Sequence, residues 1–578
     1  MTISALFRAS QALLALFLVS ACTTSVAPTV SPASPASVAQ TTFLPGSSPA
    51  AVPGQAVAAT LAANAKSHAQ ANDVEFDPGQ AVRITLNGTS ADASDRRVRV
   101  DGARVTITGP GTYQFSGTLS DGQVVVDSAE DGKVRLVLDG ASIASSSNAA
   151  IWIRAADEAV VVLADGSSNI LKGGVADGAD PDAPNAALFS MANLTIGGTG
   201  SLAVTGAIAD GITSKDGLVV LGGTIEVDAA DDGIRGTDSL IVEGGTITVR
   251  SGGDGLKSDD DKTAERGYIA ILGGEVTVAA SGDGMSATTD AIVGGGRIAI
   301  STAGSPPAAV STKGIKGGVS VVIGDGTISV NTVDDAIHSD GDSTIEGGRL
   351  TLSTRDDGVH TEGQLTVSGG ELTIQRSSEG LEAGQMTLSG GTITIVSTDD
   401  GINLSDGTGG GPMGRGSPTV GRNNLMISGG TITVTSDGDG IDANGAVSMT
   451  GGVVLIHGPT MQGNGALDAD GGIDISGGTL IAAGSAGMAV APRTTSAQAW
   501  VSVSFSPVVG PGSTIEIRSG DRVVATYTTL KSIGSLIVSS DAIAAGGNYD
   551  VYVGGTKVET VTAGQHRGGM MPGGRFRP

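Results

Sequence analysis

A pair of glycines recurs at a nearly constant interval through the middle of the chain, and each pair opens the same short pattern. After the pair come Thr-Ile-Thr-Val or a close relative, a Ser/Asp/Gly patch, an Asp-Gly-Ile and a polar return to the next pair. From Gly222 to Gly244, and again from Gly347 to Gly369, the interval is 22 residues. The pattern continues to Gly478, with insertions in some units. A fixed interval of this size indicates a repeat architecture.

The content of the repeat indicates which architecture it is. Segments such as TITVR, RLTLS and ELTIQ alternate apolar and polar residues and are rich in β-branched types, which predicts strands. The 92 glycines disfavour long helices. A unit of about 22 residues holds two or three short strands and has one face to bury, so it must stack on its neighbours. The sequence therefore predicts an all-β fold, a solenoid of the parallel β-helix type.

An acidic residue recurs at the equivalent position of successive units, before Gly (once Ala) and an apolar residue. This acid column comprises Asp210, Asp232, Asp254, Asp283, Asp335, Asp357, Glu379, Asp400 and Asp439. A second acid often precedes it, as in Asp231, Asp334, Asp356 and Asp399. Stacked coils place equivalent residues about 4.8 Å apart. At an effective dielectric constant near 20, two unit charges at that distance repel by roughly 3.5 kcal/mol, so something must offset the repulsion.

A second column follows the acid column by three residues. It comprises Thr213, Arg235, Lys257, Ser286, His338, His360, Glu382, Asn403 and Asp442. Arg235 and Lys257 are expected to neutralise neighbouring acids, whereas the run from Asp399 to Asp442 offers no such partner. The two histidines are a weak signal for a transition metal, because lone imidazoles beside aspartates more often form hydrogen bonds.

Carboxylate and amide oxygens without nearby thiols are the ligands of a hard cation such as Ca²⁺. For any single Asp-Gly the alternative is a tight turn with a solvated carboxylate. For the stacked set we predict at least one bound Ca²⁺. The candidate metal ligands are Asp210, Asp231, Asp232, Asp254, Asp334, Asp335, Asp356, Asp357, Asp399, Asp400, Asn403, Asp437, Asp439 and Asp442.

The chain begins with a predicted targeting segment, residues 1–22. Arg8 is followed by an apolar stretch and by Val-Ser-Ala-Cys at residues 19–22, which resembles a bacterial lipobox. Cys22 is the single cysteine of the chain, so no disulfide is possible within it, and the resemblance predicts that this residue is lipidated. Ordinary secretion is the alternative. The predicted location is the cell envelope, as a lipid-anchored protein facing the surface or the periplasm.

The remaining chain is divided by composition and pattern. Residues 23–71 are rich in Ala, Pro, Ser and Thr and are predicted to be a linker. Residues 72–206 are predicted to form the opening coils and N-terminal cap, and residues 207–490 the regular repeats. Residues 491–560 are predicted to form a small antiparallel β cap, and residues 561–578 a flexible tail.

Composition narrows the class of partner. The formal net charge of −26 argues against nucleic acid, because the protein would repel a phosphate backbone. Aromatic residues make up 3% of the chain, so the sequence shows no row of aromatic platforms for sugar rings. No helical seam or spare cysteine indicates an oligomer, and we expect a monomer.

The repeats resemble the carbohydrate-binding β-helix family of bacterial surface proteins. The resemblance rests on the run from Asp334 to Asn403, on GDGIDANG at residues 438–445, on NGALDADGG at 464–472 and on the closing β unit. It covers roughly residues 74–555. The family implies a right-handed, pectate-lyase-like parallel β-helix that contains calcium and binds cellulose and acidic sugars such as polygalacturonate. It implies no established reaction. Thr213 stands where the family often has Lys.

An acidic protein binds an acidic polysaccharide only if a cation bridges the carboxylates or if local basic groups overcome the net charge. Calcium in the acid column would provide the bridge. The candidate carbohydrate-binding residues are Arg235, Lys257, Lys313, Lys316, Glu379 and Glu382.

Two other functions remain open. A polysaccharide lyase needs a base for the C5 proton of a uronate and a metal for the resulting anion, and Lys257 among Asp210, Asp231, Asp232 and Asp254 resembles that arrangement. A structural ion pair is the simpler interpretation of Lys257. The third possibility is a structural adhesin in which the solenoid is a spacer.

The lipobox gives a first test. We expect the wild-type protein to partition into the detergent phase on Triton X-114 extraction of producing cells, because an acylated Cys22 binds a bilayer. C22A should remain in the aqueous phase, while T24A, two residues away, should behave as wild type. Equal partitioning of C22A and wild type would contradict lipidation.

Overall fold

The computed structural model describes residues 54–174, 183–302, 311–405 and 423–566. The predicted targeting segment with Cys22, the first part of the predicted linker and residues 567–578 of the predicted tail lie outside these ranges. Within the described ranges, no helix has the length and apolar character needed to cross a membrane.

The repeats form three ladders of parallel strands, and the chain visits the ladders in the order A, B, C. Ladder A contains the strands that follow the glycine pairs, ladder B those that follow the acid column, and ladder C those that lead to the next pair. In one coil these strands are Ser201–Gly206, Asp210–Ser214 and Gly217–Val220, and ladder A resumes at Thr224–Ala229. The prediction of a nearly all-β chain with stacked parallel strands is confirmed, and the arrangement is consistent with a β-helix or solenoid.

The bounds of the strands are as follows. Ladder A comprises Ser168–Gly173, Ser201–Gly206, Thr224–Ala229, Thr246–Ser251, Glu275–Ala280, Arg297–Thr302, Thr327–Asn331, Arg349–Ser353, Glu371–Ser377, Thr392–Ser397, Thr431–Ser436, Val453–His457 and Thr479–Gly484. Ladder B comprises Arg104–Ile107, Gln123–Asp127, Ile151–Ala155, Ala186–Ser190, Asp210–Ser214, Ile234–Gly236, Leu256–Ser258, Met285–Ala287, Ile315–Gly317, Ile337–Ser339, Ile402–Leu404, Ile441–Ala443 and Asp468–Ala469. Ladder C comprises Glu158–Leu163, Leu194–Gly198, Gly217–Val220, Ser239–Val242, Tyr268–Ile271, Asp290–Val293, Ser320–Ile323, Asp342–Ile345, Leu425–Ile427, Val447–Met449 and Ile473–Ile475.

Some strands run through two ladders. Val82–Gly88, Gly111–Leu119 and Lys133–Ala144 belong to both C and A, while Val359–Val367 and Leu381–Leu388 belong to both B and C. The remaining described strands form the two ends. At the N-terminal end, Ala91–Ala93 and Val98–Asp101 form antiparallel pairs with neighbouring strands.

The C-terminal end is antiparallel. Ile533–Ser539 extends the last coil through antiparallel pairing with Thr479–Gly484, and Trp500–Val509 pairs antiparallel with Ile533–Ser539 in turn. Thr514–Ser519, Arg522–Thr528, Asn548–Val553 and Thr556–Thr562 form a separate four-stranded antiparallel sheet. This end therefore covers a coil that would otherwise expose an unpaired strand edge.

Side chains alternate in direction along each strand, and one set from all three ladders packs into a single continuous core. In the coil at residues 201–220 this set includes Leu202, Val204, Ile212 and Leu218, all at most 2% exposed. The second glycine of each pair adopts a positive φ, for example 96° at Gly245, which a β-branched residue would not tolerate.

The glycine that follows the acid column has a different role. A Cβ at Gly211 would lie 2.2 Å from Cγ1 of Val227, so this position must be glycine to let a ladder A side chain reach the core. The glycine after Asp210 is therefore required by close packing between ladders A and B, whereas Ala336 is accommodated after Asp335.

Residues 54–77 form an N-terminal strap along the outer face of ladder C. It contains the helix Gln55–Ala63, and the predicted linker, residues 23–71, therefore overlaps a packed segment. Val57 is 8% exposed and packs against a row of outward apolar residues that includes Ile241, Ile292 and Val322. The Ala-rich run has few large apolar residues, but burial on an apolar sheet face supplies the stability that a helix of nine residues lacks in isolation.

Polar contacts fix the strap at both ends. The backbone N–H of Ala56 donates to Glu346 Oε2 at 2.9 Å, and the Tyr268 hydroxyl donates to the Ala65 carbonyl at 2.6 Å. Farther along, Lys133 pairs with Asp73. The strap thus crosses successive coils from the one at Glu346 back to the one at Lys133.

Docking of the strap predicts the effect of a buried charge. V57D would place a carboxylate against the apolar face of ladder C, and we expect a loss of roughly 2–4 kcal/mol of unfolding free energy or release of the strap. Limited proteolysis between residues 54 and 81 and thermal unfolding would report it. A58D, on the exposed side of the same helix, is the matched control, and equal behaviour of the two variants would show that the strap does not stabilise the fold.

Candidate functional site

The acid column lies at the junction of ladders A and B, and its side chains take part in the stacking of the coils. One carboxylate oxygen of an acid accepts the backbone N–H of the residue at the same position in the next coil. Asp254 N–H donates to Asp232 Oδ1 at 2.9 Å, and Asp283 N–H to Asp254 Oδ1 at 2.8 Å. The same contact joins Asp210 to Asp232, Asp335 to Asp357, Asp357 to Glu379, Asp400 to Asp439 and Asp439 to Gly465. The acids are thus partly structural, with one oxygen used between coils.

Lys313 occupies the acid position in the coil between Asp283 and Asp335. Its backbone N–H donates to Asp283 Oδ1 at 2.8 Å, as an acid would. Its ammonium lies 2.9 Å from Asp334 Oδ1 and 2.7 Å from Asp335 Oδ2. Sequence reasoning missed this placement, although Lys-Gly-Ile repeats the Asp-Gly-Ile pattern at residues 313–315.

The register of ladder B aligns the second column as a line of side chains that point away from the core. It runs Thr213, Arg235, Lys257, Ser286, Lys316, His338, His360, Glu382, Asn403, Asp442 and Asp468. Lys316 and Asp468 extend the predicted set. Two rings of this column lie one coil apart, with the centroids of His338 and His360 separated by 5.0 Å.

At its N-terminal end the site holds a compact group of three carboxylates. Asp210, Asp231 and Asp232 each present an oxygen within 4.8 Å of the others. Burial and then the Asp232 charge raise the pKa of Asp210 to about 6, and the same causes raise the pKa of Asp231. The Thr213 hydroxyl and the Asn185 amide donate to Asp210 Oδ2 at 2.9 and 2.8 Å. Every ligand atom that this cluster offers to a cation is therefore an oxygen.

Lys257 is held between two acids of the column. Its Nζ lies 3.0 Å from Asp232 Oδ2 and 2.9 Å from Asp254 Oδ2. Burial disfavours the ammonium, but the two carboxylates outweigh it and raise the pKa of Lys257 above its usual range. Arg235 is bound to Asp259, with Nε 3.1 Å from Oδ1. Lys316, by contrast, forms no ion pair with any residue in the described ranges.

In the middle of the column the charges are compensated within the protein. His338 Nδ1 lies 2.8 Å from Asp335 Oδ2, and hydrogen bonds from His338 and Lys313 overcome burial to lower the pKa of Asp335 to about 2. His360 Nδ1 lies 3.2 Å from Asp357 and 3.1 Å from Glu382, and these hydrogen bonds raise its pKa to about 11. Asp334, Asp335 and Asp356 also cluster within 4.8 Å, beside Lys313.

Glu379 and Glu382 have separate partners. Glu379 accepts a hydrogen bond of 2.7 Å from the Asn403 amide, and burial raises its pKa to about 8. Glu382 accepts one of 2.6 Å from the Ser405 hydroxyl in addition to its contact with His360.

The C-terminal run of acids is less well compensated. Burial, reinforced by neighbouring aspartates, raises the pKa of Asp400 to about 6 and those of Asp439 and Asp442 to about 7. The expectation that this run has no basic partner is wrong at one residue, because Lys531 of the C-terminal end binds Asp437 Oδ1 at 2.7 Å. Among the described residues, no three of these acids bring ligand atoms within 4.8 Å of one another.

Comparisons with known proteins agree on one class. Residues 101–358 match a family described as carbohydrate-binding domain-containing protein. A curated relative with the same description, from Acetivibrio thermocellus, is 36% identical over 159 residues, which are 27% of this chain and 52% of the relative. The match thus spans about half the relative's length. These similarities support carbohydrate binding as the class of function.

A solved structure is also similar in sequence. It is described as the polysaccharide lyase-like protein from C. thermocellum, as a gadolinium derivative, and is 32% identical. The alignment covers 38% of this chain and 94% of that one, with a TM-score of 0.36.

The raised pKa values predict a pH-dependent stability. A group whose pKa is higher in the folded than in the unfolded protein stabilises the fold below the unfolded value and loses this effect as the pH rises through the folded value. For Asp442 that window runs from 3.8 to about 7. In EDTA, D442N should therefore raise the unfolding free energy by about 1–2 kcal/mol at pH 8 and change it little at pH 4. D228N, an exposed acid on ladder A, is the control, and equal effects at both pH values would contradict the assignment.

Proposed function

We propose that this protein is a non-catalytic, calcium-dependent polysaccharide-binding protein of the cell surface, anchored through a lipid at Cys22 and built on a right-handed parallel β-helix. The observation that carries the calcium proposal is the cluster of Asp210, Asp231 and Asp232. Three carboxylates lie within 4.8 Å of one another, and one nearby ammonium, that of Lys257, is shared with Asp254. Three carboxylates with one shared ammonium are only partly compensated, and their oxygen atoms fit a hard cation.

The remaining predicted ligands rank below this cluster. Asp334, Asp335 and Asp356 have the required proximity, but Lys313 already neutralises two of them. Asp399, Asp400, Asn403, Asp437, Asp439 and Asp442 are a second candidate set, supported by the raised pKa values of Asp400, Asp439 and Asp442. Asp254 and Asp357 are engaged by Lys257 and His360.

The column beside the acids supports an acidic polymer as ligand. A bound cation would supply positive charge to sugar carboxylates at the outer side of Asp231, which is exposed. Lys316, without an ion-pair partner among the described residues, is free to contact a further carboxylate of the polymer three coils along ladder B from Arg235. Arg235, Lys257 and Lys313 are occupied by internal acids. Glu379 and Glu382 would contact sugar hydroxyls.

The state of Lys257 supports binding over lyase chemistry. A base that removes the C5 proton of a uronate must be neutral near the working pH. Asp232 and Asp254 keep Lys257 protonated, so the geometry favours a structural ion pair.

Retention of polygalacturonate by the immobilised protein tests the proposal, because this polymer is an acidic polysaccharide of the class that the acid column would bind. We expect wild type to bind in Ca²⁺ and to release in EDTA, because the polymer and the protein are both negative. D231N should lower the affinity for Ca²⁺ by about tenfold or more, since it removes one charged ligand. D228N removes one charge from ladder A in the same coil and is the matched control. It should bind both Ca²⁺ and polygalacturonate as wild type does.

Absorbance of the unsaturated product, followed in the same samples, separates binding from cleavage. A calcium-dependent rise that K257A abolishes would show a lyase. Equal binding with and without Ca²⁺ would overturn the calcium-bridging mechanism, and no binding in either condition would favour a structural spacer.

A further inference from the structure

Three ionisable side chains meet where the end of the N-terminal strap crosses the first coils. Lys133 and Glu158 are directly paired in register on the neighbouring strands Lys133–Ala144 and Glu158–Leu163, so their side chains lie on one face of ladder C. Asp73 of the strap contacts Lys133 from above this face. The side chain of Asp73 is 1% exposed, and those of Lys133 and Glu158 are 21% and 14% exposed. The group therefore joins the strap to the coil with little access for water.

The two oxygens of Asp73 have different surroundings. Lys133 Nζ contacts Oδ1 and also lies 2.9 Å from Glu158 Oε1. Oδ2 accepts the backbone N–H of Gln70 at 2.7 Å. The carboxyl carbon of Asp73 thus lies beside an amine, a second carboxyl group that can transfer protons and a backbone donor that can stabilise negative charge.

Packing fixes this group on ladder C. Arg135 Nε donates to the backbone carbonyl of Asp73 at 2.9 Å. The next residues of the strap, Val74 and Phe76, pack on three buried outward residues of the ladder, Val137, Val160 and Val162. Apolar neighbours exclude water and hold the reacting groups in one arrangement.

We propose that the side chains of Asp73 and Lys133 condense into an amide bond, with Glu158 transferring protons, and that this bond ties the strap covalently to the solenoid. The inference goes beyond the proposed function, because it concerns the scaffold and requires neither calcium nor a polysaccharide. The bond would close a loop between residues 60 positions apart in the chain. A link of this kind restricts the unfolded chain and keeps the strap on the apolar face that it covers.

The reaction needs no other reactant. One ammonium proton of Lys133 moves to Asp73 Oδ1, which gives an amine and a carboxylic acid. The Nζ lone pair attacks Cγ of Asp73, and Oδ2 takes the negative charge beside the Gln70 N–H. Glu158 accepts a second proton from the nitrogen and passes it to Oδ1. The Cγ–Oδ1 bond then breaks, one water molecule leaves, and Glu158 returns to its initial state.

Proton sharing within the group is compatible with this sequence. Burial disfavours the ammonium of Lys133, but Asp73 and Glu158 outweigh it and raise the pKa of Lys133, so the amine is the minor form, as it is at Lys257. A lyase needs a neutral base at every turnover, whereas this bond forms once, between groups whose effective concentration can reach about 10⁵ M or more when they are held in contact. Burial also raises the pKa of Glu158, which suits it to hold and pass on a proton.

A tryptic digest of the denatured full chain, analysed by mass spectrometry, tests the proposal. An amide at Lys133 prevents cleavage after that residue. Wild type should therefore give one branched peptide in which residues 67–83 are joined to residues 105–135, lighter than the two together by one water molecule. Separate peptides of residues 67–83 and 105–133 would overturn the proposal and leave an ordinary ion pair.

Three variants assign the chemistry. K133R keeps a positive charge beside both acids but should give no branched peptide, because a guanidinium is not deprotonated in proteins. E158Q should form the peptide about 100-fold more slowly, the effect of losing a proton-transfer group, and formation at the wild-type rate would overturn the role of Glu158. D77N, an exposed acid of the same strap, is the matched control and should behave as wild type. Calcium-dependent retention of polygalacturonate by the same wild-type sample tests the proposed function separately, since neither result depends on the other.

Discussion

Stacking of equivalent residues at the coil spacing of about 4.8 Å is the constraint on which this structure depends. It multiplies whatever one position contributes: an apolar position becomes a continuous core, and an acidic position becomes a line of mutually repelling charges. The protein compensates the acid column in two ways. One oxygen of several acids accepts the next coil's backbone N–H, as between Asp232 and Asp254, and basic groups lie between neighbouring acids, as Lys257 does.

Compensation is uneven along the column, and this unevenness defines the candidate site. In the middle coils Lys313 and His360 neutralise neighbouring acids and His338 hydrogen-bonds to Asp335, so the acids there are parts of internal networks. Toward either end the carboxylates outnumber their partners. Raised pKa values of Asp210 and Asp439 express the same imbalance, since burial and like charge both favour the protonated form. A cation at either end would relieve it.

The strap shows how the outer face of ladder C differs from one group of coils to the next. Over the coils from Val219 to Val322, ladder C presents apolar side chains outward, and the helix Gln55–Ala63 with the residues after it covers them. Beyond Glu346 the same column continues in register through Thr366 and Thr387 to Met426, which is 52% exposed. An exposed apolar face would favour association, and the strap removes that exposure over the coils that it covers.

The sequence by itself determined the repeat, the strand character and the alignment of the two columns, because period and alternation are local properties. Asp210, Asp232 and Asp254 fall in register, and so do Thr213, Arg235 and Lys257. Only the tertiary structure decided the partners that come from other parts of the chain. These include the docking of Val57 on ladder C and the pairing of Lys531 with Asp437. They depend on where distant segments fold back, which neither spacing nor composition encodes. Lys313 replaces an acid of the column, and the Lys-Gly-Ile pattern in the sequence could have shown this. Its two ion pairs, with Asp334 and Asp335, could be seen only in the structure, because stacking of the coils brings these residues together.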